Sequence, residues 1–323
     1  MILFPRATRP GPMNPFLLGI LLMIATCAVW GLAFVAPIAL PDASAIEVTL
    51  GRTMAYGAIS LMLFDLRRAI RLPRGVLWRA LVYALTGNVL YYFLLVLGMQ
   101  WAGASMGVLV IGMAPVTVTL AGRLQQGFGA LKPIAVPLAL FCGGLMLANT
   151  AKTDFSGASD DLAPLGVAAI FLALVMWTWY AVVNARFLQE TRLVTPQEWS
   201  SVIGIVSLAA ALVALPVAWA TGLARLPGEI GGGELAMLAL WSLLLGGGST
   251  WLGTVLFNMA SKVLDLTILG QMIIFEAVFG MIYVFVAVGE VPTAQEFAGI
   301  AVALFSVWLS IRRLYQPAPR MAP

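Results

Sequence analysis

The chain alternates between long apolar runs and short breaks of charge, proline and glycine. An α-helix rises 1.5 Å per residue, so crossing a ~30 Å hydrocarbon core takes about 20 apolar residues. By that ruler the pattern predicts membrane-crossing helices near 15–40, 45–65, 76–98, 102–122 and 130–150. The polar stretch AKTDFSGASDD (151–161) interrupts, and five more follow near 162–185, 197–221, 236–259, 266–288 and 293–314. Between them stand LPDASAIE, DLRRAIRLPRG, QQGFGALKP, QETRLVTPQE and GEIGGGE, which hold the residues that stop helices. Composition agrees with the pattern. The chain is 61% hydrophobic and 10% charged, with a mean hydropathy of +0.98. A soluble domain carries about 25% charged residues, so the solvent of this surface is lipid. The predicted fold class is an all-α integral membrane protein.

Charge then orients it. With the N-terminus cytoplasmic, the inner segments hold Arg6, Arg9, Arg67, Arg68, Arg71, Arg74, Arg79, Arg123, Lys132, Arg186, Arg192, Lys262, Arg312, Arg313 and Arg320. The outer segments hold Lys152 and Arg225, and Arg52 falls within the second predicted span. That asymmetry is the positive-inside bias of a bacterial inner membrane, and losing one span would scatter it over both faces. The net charge of +4 therefore reports topology and gives no sign of a nucleic-acid partner. Arg6 and Arg9 ahead of an apolar run resemble a signal peptide. The run is too long for an h-region, however, and lacks a small-x-small cleavage site.

An internal repeat fits the same count. An offset of 162 residues lays spans 3–5 on spans 8–10, setting Asn88 on Thr250, Tyr92 on Thr254, Pro115 on Ala277 and Pro137 on Gly299. At an offset of 147, Trp30 of AVWGLAF meets Trp177 of VMWTWYA. Five spans per copy is an odd number, so the copies have opposite topology, as in carriers that bind at the midplane and alternate access. The predicted organisation is a cytoplasmic tail (1–14), a first five-helix repeat (15–150), an external linker (151–161), a second repeat (162–314) and a cytoplasmic tail (315–323). Gly103-x-x-x-Gly107, Gly143-Gly144 and Gly246-Gly247-Gly248 let helices approach closely, for sliding or for plain packing.

Short motifs carry a family resemblance over nearly the whole chain. VWG (29–31), Arg52, Pro115, FEAVFG (275–280) and GE (289–290) resemble the drug/metabolite transporter superfamily, in its EamA-type ten-helix branch. WTWYAVVN (177–184) is similar to aromatic amino-acid exporters of the YddG type. The resemblance implies a 5+5 fold and export of amino acids. The family usually has Glu-Pro in the ninth span; here Ala277 follows Glu276, which implies a straighter helix there.

Helical spacing sorts the candidate site residues onto faces. Trp30 shares a stripe with Thr26, Ala33 and Pro37. Asn88, Tyr91 and Tyr92 share one, as do Trp177, Tyr180 and Asn184. Trp251, Thr254 and Asn258 form another, and Met272 and Glu276 align with Phe279 and Tyr283. Aromatic rings mixed with a few hydrogen-bonding groups suit a ligand with an apolar body and a polar head. Trp78, Trp101, Trp199, Trp241 and Trp308, near span ends, read as interfacial belt residues. Asn88 and Asn258 fit equally as interhelical glue. Arg52 has two readings, a snorkelling side chain neutralised by Glu47 or a carboxylate site. An ionised Glu276 mid-span would cost roughly 2.5 kcal/mol or more, so it either serves the pathway or stays protonated and locks two helices.

Other chemistry has little to work with. There is no histidine, and Cys27 and Cys142 are isolated within apolar runs, so neither a metal site, a cofactor nor a catalytic constellation is expected. A phosphate carrier would place several cations deep in the bundle. The leading expectation is an exporter of aromatic or large neutral amino acids. The alternative is a multidrug or cation exporter with Glu276 as counter-ion or proton site, with an embedded enzyme or scaffold behind both. One chain suffices to close such a pathway, so a monomer is compatible.

Overall fold

The computed structural model describes residues 14–102, 104–124, 127–150, 162–289 and 291–314. The predicted linker, nearly all of both tails, Gly103 and Glu290 lie outside the described residues. Every described element is helical. Among the described residues, seven helical runs are long and apolar enough to cross a membrane. They are Pro15–Phe34, Arg74–Ala102, Ala163–Glu190, Pro196–Ala220, Gly232–Ser261, Leu266–Val288 and Ala294–Arg313, with a shorter apolar run at Leu131–Gly144.

Three expected spans differ from that standard for visible reasons. The 45–65 run forms Ala45–Leu63, whose apolar character is diluted by Glu47 and Arg52. The 102–122 run divides into Ala104–Ile111 and Ala114–Leu124, with Gly112 and Met113 in a turn ahead of Pro115. The 130–150 run begins as tight 3-10 turns at Phe128–Ile134, around Pro133, before the helix Ala135–Thr150.

Helix starts follow the capping rules. Ser44 and Thr195 each accept from the backbone N–H three residues on, while Glu47 and Glu198 return to the cap N–H, closing two capping boxes. Asp265 caps the helix that begins at Leu266. Gly289, with φ of +75°, ends the helix Ile274–Val288 in the left-handed region that a side chain disfavours.

The lipid-facing surface is apolar. Met62, Val213 and Val286 are among the large side chains left open, which water would not support but acyl chains do. Inside, the helix 163–190 packs on 74–102, 196–220 on 45–63, and 15–30 on 253–261, so the two halves interleave. At one rim Arg225 donates to Glu47 (2.9 Å) and Glu234 (2.6 Å). These bonds, to Glu47 first and then Glu234, hold the Arg225 guanidinium above its ordinary pKa. Glu47 is thereby committed to Arg225 and does not neutralise Arg52, contrary to the sequence expectation.

The helix around Glu276 also departs from expectation. Without a proline at 277 the resemblance implies a less kinked helix there, yet it breaks at Ile273, between Leu266–Met272 and Ile274–Val288. There the Glu276 N–H bonds to the Ile273 carbonyl, three residues back instead of four, at 2.9 Å.

Candidate functional site

Two of the long helices change their winding midway. Leu85–Val89, within 74–102, and Leu244–Leu252, within 232–261, are π-helical. Such turns displace the regular hydrogen-bond ladder and are frequent at functional sites. The Thr250 hydroxyl donates to the Leu245 carbonyl five residues back (2.8 Å), occupying an acceptor in the widened turn. The wider helices come close to their neighbours at glycine. A Cβ on Gly87 would meet the Tyr180 ring, and one on Gly246 would lie 2.6 Å from the Arg52 carbonyl oxygen.

Between these helices lies a chamber of about 300 Å³. Its apolar wall includes Trp30, Phe34, Ile38, Leu95 and Ile111, and Trp177 and Tyr180 close one side. Trp30 and Trp177 meet edge to face with centroids 5.9 Å apart, and Tyr91 lies 6.4 Å from Trp177. Against this aromatic surface stand a few polar groups: Arg52, Asn88, Tyr92, Ser249, Thr250, Thr254 and Glu276.

Arg52 is the most constrained of them. It is 8% exposed, and its guanidinium stacks 3.9 Å from the Tyr92 ring centre. Nη1 donates to Thr250 Oγ1 (3.1 Å) and Nη2 to the Asn88 carbonyl (2.8 Å). One guanidinium thus joins the two π turns, at the pair of positions that the 162-residue offset equates. Arg52 Nε and Asn88 Nδ2 are buried and have no hydrogen-bond partner. Among the described residues the ion pairs are Arg68–Glu198, Arg225–Glu47 and Arg225–Glu234, so neither Arg52 nor Glu276 is paired. Glu276 is partly accessible, and it too lines the chamber.

The structure therefore gathers Trp30, Asn88, Tyr91, Tyr92, Trp177, Tyr180, Thr254 and Glu276 around one cavity and places three other candidates elsewhere. Trp251 turns to the helix 196–220, its indole N–H donating to Ser201 Oγ at 3.2 Å. Asn258 is fully buried, accepting from Asn184 Nδ2 (2.8 Å) and donating to the Pro196 carbonyl (3.4 Å). Met272 is buried and its carbonyl accepts from Cys27 Sγ at 3.3 Å.

Asn258 belongs to a packed plug one helical turn from the chamber-lining Thr254. Asn184 holds Asn258 and also accepts from the Trp199 indole N–H (2.8 Å). Trp199, expected in the interfacial belt, is instead fully buried, 4.5 Å from Phe187 and edge-on to Tyr83 at 5.9 Å. Gln189 Nε2 donates to the Ser261 carbonyl (2.8 Å), tying the end of one helix to the end of another.

Of the two sequence readings of Arg52, its place in the chamber wall favours the carboxylate site over snorkelling, and Thr250 was not a sequence candidate. For Thr250 the signal lay in the repeat, as the counterpart of Asn88.

Comparison with known proteins gives a consistent result. Residues 17–150 match the EamA-like transporter family. The chain is 29% identical over 308 residues to the Inner membrane protein YtfF of Escherichia coli (strain K12), covering 91% of this chain and 95% of that protein. A solved crystal structure superposes with a TM-score of 0.71 over 92% of this chain and 99% of its own, at 18% identity, which is a likeness of fold.

Proposed function

We propose that the chain, whose residues 17–150 match the EamA-like transporter family, is a transporter of that family and exports amino acids with aromatic or large neutral side chains, by alternating access around the central chamber. In this reading ten helices, five per inverted repeat, cross the inner membrane with both termini cytoplasmic. The plug then lies at the basic, cytoplasmic end, near Arg79, Arg186 and Lys262, and the chamber opens outward. The observation that carries the reading is the chamber lining, aromatic rings with isolated hydrogen-bonding groups at its middle. Such a surface takes an apolar side chain by burial and a small polar head by a few dipoles. The WTWYAVVN segment supports it, since Trp177 and Tyr180 both face the chamber.

Counterflow into proteoliposomes tests this, with labelled phenylalanine outside and a panel of unlabelled metabolites inside. Exchange is expected for aromatic and large neutral amino acids. Absence of exchange by demonstrably folded protein across the panel would sink the substrate assignment.

A second reading draws on Glu276, which faces the chamber without a cationic partner. An exporter of cationic compounds would use it as counter-ion or proton site. Glu276→Gln is then expected to abolish efflux of organic cations together with its pH dependence. Unchanged cation efflux in that variant eliminates the reading.

A further inference from the structure

The bonding of Arg52 leaves a specific deficit. Its two terminal nitrogens are occupied by Thr250 Oγ1 and the Asn88 carbonyl, and Tyr92 covers its face. Two buried nitrogens there make no hydrogen bond at all, Arg52 Nε and the amide nitrogen of Asn88. Both residues line the chamber, so the deficit lies within the wall of the space a solute would fill. Two donors are orphaned there. Buried donors demand partners, and a buried cation demands a counter-charge. The Arg225 network has claimed Glu47, the acid nearest in sequence to Arg52.

We infer that Arg52 and Asn88 form the docking pole for a carboxylate on the transported solute. One carboxylate oxygen accepts from Arg52 Nε and the other from Asn88 Nδ2, while the existing bonds to Thr250 and the Asn88 carbonyl hold the guanidinium in place. Charge-assisted bonds of this kind are the strong ones, and a planar two-oxygen acceptor matches two donors. Tyr91, Arg52 and Glu276 line the same chamber, which thus carries one cationic and one acidic side chain. A zwitterion spans that arrangement with its ammonium toward Glu276 and its side chain on Trp30 and Trp177. The assignment rests on the transporter reading above and names the group by which that site recognises its solute.

Four probes of one shape test it: L-phenylalanine, L-phenylalaninamide, phenethylamine and 3-phenylpropanoate. Each is titrated against purified protein by quenching of tryptophan fluorescence and then used as a competitor in counterflow. Wild type is expected to bind the two carboxylates at least tenfold more tightly than the amide and the amine, which lack a carboxylate. Arg52→Gln should weaken the carboxylates by tenfold or more and leave the amide and amine unmoved, with Arg52→Lys recovering part of the loss. Equal affinity of wild type for acid and amide overturns the pole, as does an Arg52→Gln variant that weakens all four probes alike. Should Arg52→Gln fail to fold, the wild-type ratio and its reduction in Asn88→Ala decide. If 3-phenylpropanoate binds through Arg52 but no amino acid exchanges, the pole stands and the amino-acid assignment falls. If phenylalanine exchanges with no preference over its amide, the reverse holds. A folded protein that binds none of the four overturns both.

Discussion

The chamber and the plug are made from the same helices, about one turn apart, and they treat polar groups in opposite ways. On the helix 163–190, Trp177 and Tyr180 face the chamber and Asn184 enters the plug; on 232–261, Thr254 faces the chamber and Asn258 the plug. In the plug the amides close on each other and on Trp199, so their hydrogen-bonding capacity is spent within the protein. In the chamber Arg52 and Asn88 keep unused donors. A buried polar group with partners holds helices together, whereas one without partners awaits something from outside. Residue type does not separate the two cases, since Asn88 and Asn258 are the same amino acid.

Substitutions sharpen the contrast by moving different observables. The largest stability effect is expected from Asn184→Leu, which strands the Trp199 indole N–H and the Asn258 amide at about 1–3 kcal/mol per group. Thermal unfolding in detergent should show the loss, while KM for the remaining folded protein stays put. A change in KM with intact stability would blur the division. In the chamber, Trp177→Phe removes part of the edge-to-face contact with Trp30, an interaction of about 0.5–1.5 kcal/mol. KM for phenylalanine should rise by about two- to tenfold with a smaller shift in melting than Asn184→Leu gives. Trp251→Phe is expected to do least. It loses one bond to Ser201 on the far side from the chamber, about 0.6 kcal/mol in a bilayer. Counterflow by this variant should match wild type, and a raised KM would return Trp251 to the chamber wall.

The apolar runs made the helical class and most helix positions legible, because lipid leaves one solution for a 20-residue apolar segment. The faces of the aromatic residues were legible too, as the common wall formed by Trp30, Tyr91 and Trp177 attests. Spacing could not say where along a helix the chamber stops. Trp251, Thr254 and Asn258 share one stripe in sequence, yet only Thr254 lines the cavity, because the π turn ends between the first two. Nor could sequence distance pair the charges. Glu47 precedes Arg52 by five residues, but the 222–231 loop brings Arg225 to it from across the fold.

The π turns have a consequence for how these helices can be read at all. A π turn closes its bonds five residues back, so it accommodates an extra residue, and one residue is about 100° of helix rotation. The helices 74–102 and 232–261 are therefore each two α-helices joined out of phase. In 74–102 the part before the π turn presents Tyr83 to the plug while the part after it aims Tyr91, Tyr92 and Leu95 at the chamber, and neither choice constrains the other. An unbroken helix has a single phase along its length. By resetting phase at Leu85–Val89, the helix 74–102 can change the face it turns to the chamber without disturbing the face it packs on Trp199.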